Sequence, residues 1–94
     1  MTKAIWNDVV IAESDRTEVV EGNHYFLLEA LSQEHFKESA TTSTCPWKGM
    51  AKYYTVTVGD RENVDAAWYY PNPSTAAANI AGKVAFWKGV KVVP

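Results

Sequence analysis

The chain has 94 residues, with 9 lysines and arginines against 11 aspartates and glutamates, for a formal net charge of −2. That length makes one small domain, residues 1–94, near the lower end of what folds unaided. The mild acidity and the lack of a basic patch argue against a nucleic-acid partner, and no stretch approaches the ~20 apolar residues of a membrane span.

Met1-Thr2-Lys3 runs straight into a strand-like segment without an apolar signal region, so the chain reads as soluble and cytoplasmic. Ala4-Ile5-Trp6 and Val9 to Ala12 flank Asn7-Asp8, a polar pair suited to a hairpin turn. Ser14-Asp15-Arg16 breaks the pattern before the strand-like Thr17 to Glu21, and Gly22-Asn23 supplies two residues that tolerate left-handed geometry. After His24-Tyr25-Phe26, the polar-amphipathic stretch from Leu28 to Ser39 suggests one or two short helical turns burying Leu27, Leu28, Leu31 and Phe36. Thr41 to Thr44 reads as a polar connector, and Pro46 excludes a regular helix around Cys45.

From Met50 to Val58 the chain alternates, with Tyr54, Val56 and Val58 on one face and Tyr53, Thr55 and Thr57 on the other. Gly59-Asp60 turns the chain into a strand from Val64 to Tyr70, where Trp68 and Tyr70 point one way and Tyr69 the other. Past Pro71-Asn72-Pro73, Ser74 is placed to cap a short alanine-rich helix over 74–81, closed by Gly82. Lys83 to Trp87 and Val90 to Val93 suggest a last hairpin around Lys88-Gly89. The expected fold is mainly β: a compact antiparallel sheet, β-roll or barrel-like, of about seven or eight short strands with one helix. Four tryptophans, five tyrosines and three phenylalanines supply its core, each ring burying roughly 150–250 Å².

Three constellations carry candidate chemistry. Cys45 is the only cysteine, which excludes an internal disulfide and a multi-cysteine zinc cage. Beside Lys48 its thiol is open to activation as a nucleophile or redox thiol, although a free cysteine is commonly a small buried apolar residue. Glu21 and His24 flank a Gly-Asn pair, where a carboxylate can orient an imidazole as a general base; exposed turn residues are the plain alternative. The rings of Trp47, Tyr53, Trp68 and Tyr70 suit a cleft that stacks on a small ligand, unless both sheet faces are simply packed. No H-x-H, HExxH or glycine-rich phosphate loop occurs, so neither a metal nor a cofactor is expected. Trp6-Asn7-Asp8-Val9, Trp47-Lys48-Gly49-Met50 and Trp87-Lys88-Gly89-Val90 share one grammar: Trp, two turn formers, an apolar residue. That repetition assigns Lys48 and Gly49 to turn architecture and lowers their weight as catalytic residues.

Nearly the whole chain resembles the domain of unknown function 427 family of small bacterial and fungal proteins. The segments that carry the resemblance are Lys3 to Asn7, Val20-Glu21-Gly22-Asn23-His24-Tyr25-Phe26, Thr44-Cys45-Pro46-Trp47-Lys48-Gly49, Ala66 to Pro71 and Val84 to Val90. Leu27-Leu28-Glu29 departs from members that carry prolines after the Tyr-Phe pair. The resemblance implies a compact, mainly β single domain and brings no established activity. A nucleotidyltransferase-like label sometimes attached to the family finds no paired-aspartate motif here. The leading expectation is therefore a binding module for a small neutral or anionic metabolite. In it Trp47, Tyr53, Trp68 and Tyr70 line the cleft, while Lys48, Glu21 and His24 orient the ligand. The alternative is a small enzyme of group transfer or thiol redox, with Cys45 as nucleophile, His24 as base, Glu21 as its orienter and Lys48 as electrostatic support.

Overall fold

Strands form where β-branched and aromatic residues cluster, and the turns between them set the register. The computed structural model, which describes residues 1–94, has nine strands in three antiparallel sheets and little helix. β1 (Thr2–Trp6) and β2 (Val9–Ser14) join at Asn7-Asp8, whose φ values of 51° and 63° match the twist of paired strands. β3 (Glu18–Val20) and β4 (Asn23–Tyr25) pair with Val20 opposite Asn23, so the turn is Glu21-Gly22 and not the expected Gly22-Asn23. Moving the turn by one residue would flip Tyr25 to solvent, and Tyr25 is 1% exposed. Glu21 therefore accepts a left-handed φ of 54°.

The amphipathic stretch becomes two single 3₁₀ turns, Leu28–Ala30 and Gln33–His35. Leu31 is buried and Phe36 packs on the core, whereas Leu27 and Leu28 stay exposed, because one turn is too short to keep a continuous apolar stripe. The expected connector Thr41–Thr44 is instead the second half of a long strand, β5 (Phe36–Cys45). β5 has a neighbour on one side only and is mostly exposed, so it shows no alternation of polar and apolar residues. Its threonines still favour extended backbone.

β6 (Gly49–Val58), β7 (Arg61–Tyr69) and β8 (Val84–Phe86) complete a sheet in the order β5-β6-β7-β8, while β9 (Lys91–Val93) joins a second sheet in the order β2-β1-β9. The expected last hairpin is thus not formed. Lys88 and Gly89 do make a tight turn, with φ of 54° and 86°, but it passes the chain from one sheet to the other. Two unsatisfied strands compete for the two segments here: β8 pairs with β7 and β9 pairs with β1. The segment expected as a helix is a 3₁₀ helix, Thr75–Ile80, kinked at Ala77.

The alternation read from β6 and β7 holds, and it splits the core in two. Ala4, Ile11 and Ala12 of the small sheet pack with Phe26, Val56, Ala67, Val84 and Phe86 on one face of the large sheet. On the other face Tyr25, Ala51, Tyr70 and Ala85 pack against Ala77 and Ile80 of the 3₁₀ helix. β4 reaches across to β8 through paired bonds of 2.8 Å between Phe26 and Val84. Tyr53 and Trp68 on that second face are only partly buried, and a cleft opens beside them.

β6 is flanked by two irregularities that meet at Tyr54: β7 slips register opposite Tyr54 to Val56, and β5 slips between Glu38 and Thr42, opposite Tyr54 to Lys52. Asp65 sits in the β7 bulge with φ of 57°. Its Oδ2 accepts from Thr41 Oγ1 at 2.7 Å, and its carbonyl accepts from the Trp87 indole at 2.6 Å. Oδ1 is buried without a partner. The hydroxyls of Ser39 and Thr41 hold this carboxyl below its ordinary value. A depressed pKa means that the ionised form stabilises the fold above the unfolded-state value and that this contribution is lost as pH falls through it.

Two outcomes are expected. Asp65→Asn lowers urea stability at pH 7, and its deficit against wild type closes as pH drops below about 4. Phe26→Ala, at a site with no exposure and edge-on to Phe86 at 5.5 Å, costs about 3–5 kcal/mol in the same measurement.

Candidate functional site

The site begins with the connection between β5 and β6. Cys45 pairs with Gly49, which leaves Pro46-Trp47-Lys48 as the loop. Gly49 takes φ of 117°, and a side chain there would begin 3.4 Å from the Asn72 carbonyl oxygen. With Gly49 absorbing the unusual geometry, Lys48 keeps a negative φ, unlike Asn7 and Lys88 at the matching positions of the other Trp-initiated turns. The three related segments are therefore not one structure. Ser74 fastens the loop: its N–H donates to the Lys48 carbonyl at 2.9 Å, and its hydroxyl donates to the Trp47 carbonyl and not to its own helix as a cap.

This backbone turns Lys48 inward. Its side chain is 8% exposed, and its ammonium donates to Glu21 Oε1 at the tip of the β3–β4 turn. The same ammonium lies 4.9 Å from the centre of the Trp47 ring and 5.7 Å from that of Tyr70. Burial pulls the Lys48 pKa down, but the Glu21 carboxylate and the surrounding tyrosines and Cys45 raise it overall, so it stays charged. Glu21 is held low, first by its hydrogen bond from Lys48.

Lys48 lines a cleft of about 130 Å³ together with Asn23, Tyr25, Tyr53, Trp68, Tyr70 and Trp87. Alternation puts Asn23 and Tyr25 on one face of β4, and Trp68 and Tyr70 on one face of β7. The Trp68 indole donates to the Tyr25 hydroxyl at 3.2 Å, and Trp68 stands edge-on to both Tyr25 and Trp87, at interplanar angles of 90° and 76°. Desolvation raises the Tyr25 and Tyr70 pKa values, so both remain protonated donors at neutral pH. Tyr53 is tied by its hydroxyl to Ser43 at 2.8 Å.

Cys45 packs, half-buried, against the cluster of Tyr25, Ala51 and Tyr70. Its thiol is held below the ordinary value, first by the backbone N–H groups of Lys48 and Trp47 and further by the Lys48 charge, against desolvation. The arrangement can accept an anionic or carbonyl oxygen at Lys48, present aromatic rings around it, and keep a polarised thiol behind them.

Of the residues singled out from sequence, Glu21, Cys45, Lys48, Tyr53, Trp68 and Tyr70 gather here. Trp47 lies at the rim, 42% exposed, beneath the Lys48 ammonium. His24 does not join them. It projects from the opposite face of β4 to Asn23 and Tyr25, where Nδ1 is bonded to Thr17 Oγ1 at 2.7 Å. His35 is likewise elsewhere, with Nδ1 bonded to the Thr57 carbonyl at 2.8 Å. Sequence reasoning missed Asn23, Tyr25 and Trp87. The β3–β4 register would have placed the first two, while Trp87 was absorbed into a turn motif. A larger concavity of about 540 Å³ is lined by Asp15, Arg16, Glu18 and Lys83 among others. Its charges are mixed and its walls mostly polar, so it lacks the convergent chemistry of the aromatic cleft.

The residues that build the cleft lie in the segments Val20 to Phe26, Thr44 to Gly49 and Ala66 to Pro71, together with Trp87. The family model described as Domain of unknown function (DUF427) matches residues 1–93, all of these segments included. The chain belongs to that family. No curated protein matches the chain. The family's short name carries a nucleotidyltransferase label, whereas the DUF427 fold here gathers no group of three His, Cys, Asp or Glu side chains suited to a metal ion. No helix is long and apolar enough to cross a membrane.

The Cys45 environment makes a measurable prediction. Alkylation of the folded protein by iodoacetamide is expected to titrate with a midpoint below about 8.5, the free-thiol value. In Lys48→Met the midpoint rises only part of the way back, because the backbone N–H groups remain. A midpoint at the denatured-chain value in wild type contradicts this electrostatic picture.

Proposed function

We propose that this protein is a binding module for a small metabolite, held in the cleft between Tyr25, Tyr53, Trp68, Tyr70 and Trp87 and oriented by Lys48 and Asn23. One observation carries the reading: five aromatic rings and a buried, ion-paired ammonium line one cleft. Concave, ring-lined sites with a few placed polar groups are the usual form of ligand pockets. The size sets a limit on the ligand. About 130 Å³ is well below the ~300 Å³ at which pockets for drug-sized ligands begin, so the recess itself suits a compact metabolite. Neither nucleic acid nor membrane enters this reading, and we place the module in the cytoplasm.

A second reading is favoured by the depressed Cys45 thiol, which packs against the cluster containing Tyr25 and Tyr70 behind the cleft lining. As thiolate it would attack an electrophilic carbon, with the Lys48 ammonium and the Tyr25 and Tyr70 hydroxyls stabilising the developing oxyanion. His24 has no part in that arrangement. Ligand binding that survives Cys45→Ser unchanged, together with full cellular function of that variant, removes this second reading and leaves the first intact.

The binding reading is tested by thermal unfolding against a panel of small polar metabolites. A true ligand at ten times its Kd stabilises by about 1.4 kcal/mol, which raises Tm by about 6–10 °C in a domain of this size. Trp68→Leu is expected to abolish the rise. A panel covering carboxylates, amines, amides and sugars that leaves Tm unmoved at millimolar concentration would sink the proposal.

A further inference from the structure

We propose that the outer edge of β5 is a dimerisation surface, on which the same strand of a second copy pairs antiparallel about a two-fold axis at Ser43. An unpaired strand edge offers a row of N–H and C=O groups to any other strand, and folded proteins blunt such edges. The other edges here are short or covered. Phe26 bonds Val84 of β8 in both directions, and Leu31 bridges Ala12 of β2 while Ser32 donates to the Ile11 carbonyl. β3 and β9 have only three residues each. β5 is 10 residues long and has β6 alone beside it. From Ser39 to Cys45 its backbone makes one hydrogen bond outside that ladder, from the Thr41 N–H to the Ser39 hydroxyl.

The devices that guard an edge are missing from the second half of β5. Lysine is one of them, but Lys37 reaches across the sheet face to Glu62 of β7 and not outward. From Ser39 to Cys45 there is no charge and no proline, and Ala40 to Thr44 are exposed. The bulge lies between Glu38 and Thr42, which leaves Thr42 to Cys45 as a regular ladder.

That ladder sets the register. Residues directly opposite in an antiparallel pair share a face, so a two-fold axis perpendicular to the sheet must pass through a residue. At Ser43 it puts Thr42 opposite Thr44 of the second copy, and the reverse, and threonine pairs are favourable cross-strand neighbours. Shifted to Thr44, the axis would bring Pro46, which has no N–H, opposite Thr42. Shifted to Thr42, it would bring Ala40, within the bulge, opposite Thr44. A second copy suits this edge better than a foreign strand. Strand addition takes its specificity from side-chain pockets along the edge, and neither cavity is lined by a β5 residue. What the edge offers is self-complementarity: uncharged hydroxyl side chains arranged symmetrically about Ser43. Such pairing is isologous and joins two four-stranded sheets into one. The axis keeps like faces together, so both aromatic clefts open on the same side. Ser43, at the axis, shares a hydrogen bond of 2.8 Å with Tyr53 of the cleft.

The test is sedimentation equilibrium of the full chain from micromolar to millimolar concentration, in reducing buffer so that Cys45 forms no disulfide. A single strand pair buries less than the roughly 1,600 Å² of a standard interface, so a concentration-dependent monomer–dimer equilibrium is expected. Thr42→Glu with Thr44→Glu sets like charges opposite each other at both crossings and is expected to weaken dimerisation at least about tenfold. Thr42→Glu with Thr44→Lys sets opposite charges there and is expected to restore it. Both positions are exposed, and far-UV circular dichroism checks that each variant is folded. A wild type that stays monomeric throughout overturns the proposal. So does a dimer that the two glutamates leave intact, since its interface then lies elsewhere. Loss of the dimer in both folded double variants overturns the pairing about Ser43.

Discussion

The buried ammonium of Lys48 is the constraint around which the site is arranged. A charge whose side chain is only 8% exposed is costly by several kcal/mol unless a partner meets it. Glu21 meets it from a turn 27 residues earlier in the chain, so two hairpin tips from different sheets must stay together. Glu21 itself is more than half exposed, which screens the pair and limits what it adds to overall stability. Its consequence is positional. The pair fixes where the positive charge stands relative to Tyr25, Tyr70 and Cys45; that charge opposes the desolvation that raises the two tyrosines and adds to the backbone N–H groups that lower the thiol.

A second constraint acts through the backbone. The bulges on β5 and β7 lie on either side of β6, flanking Tyr54, and the Thr41–Asp65 hydrogen bond ties them. Bulges bend a sheet and re-aim its side chains. Here the bend also presents the Asp65 carbonyl to the Trp87 indole, which holds one wall of the cleft. A left-handed aspartate and a buried oxygen without a partner are local costs, and both sit where the sheet is shaped for its opening. The strained bulge thus helps to position one wall of the aromatic cleft, although the two lie in different parts of the sequence.

Much of this was legible in the sequence. The alternation of Tyr53 and Tyr54, and of Trp68, Tyr69 and Tyr70, correctly assigned faces because period 2 admits one solution once the strand is known. β5 was not legible, since an edge strand exposed to water on both faces carries no alternation to read. Nor was the separation of β8 from β9. Turn chemistry at Lys88-Gly89 describes a tight reversal, but it does not say which strand each arm will join. His24 shows the same limit at the site. Three residues from Glu21 in sequence, it lies across a turn and on the wrong face, because the register placed Tyr25 inward and therefore His24 outward.

The three Trp-initiated segments make the sharpest case. Trp47-Lys48-Gly49 and Trp87-Lys88-Gly89 are the same letters, and sequence logic treated both as turns. In the second, Lys88 and Gly89 both adopt positive φ and the lysine lies at the surface. In the first, Cys45 pairs with Gly49, so a three-residue loop is closed and Gly49 alone carries the positive φ. That one change of loop length rotates Lys48 from solvent to the interior. Pro46 contributes by fixing its own φ, and Ser74 contributes by binding both loop carbonyls. The identity of the key cation therefore depends on pairing register, a long-range property, and not on the local motif in which it is written.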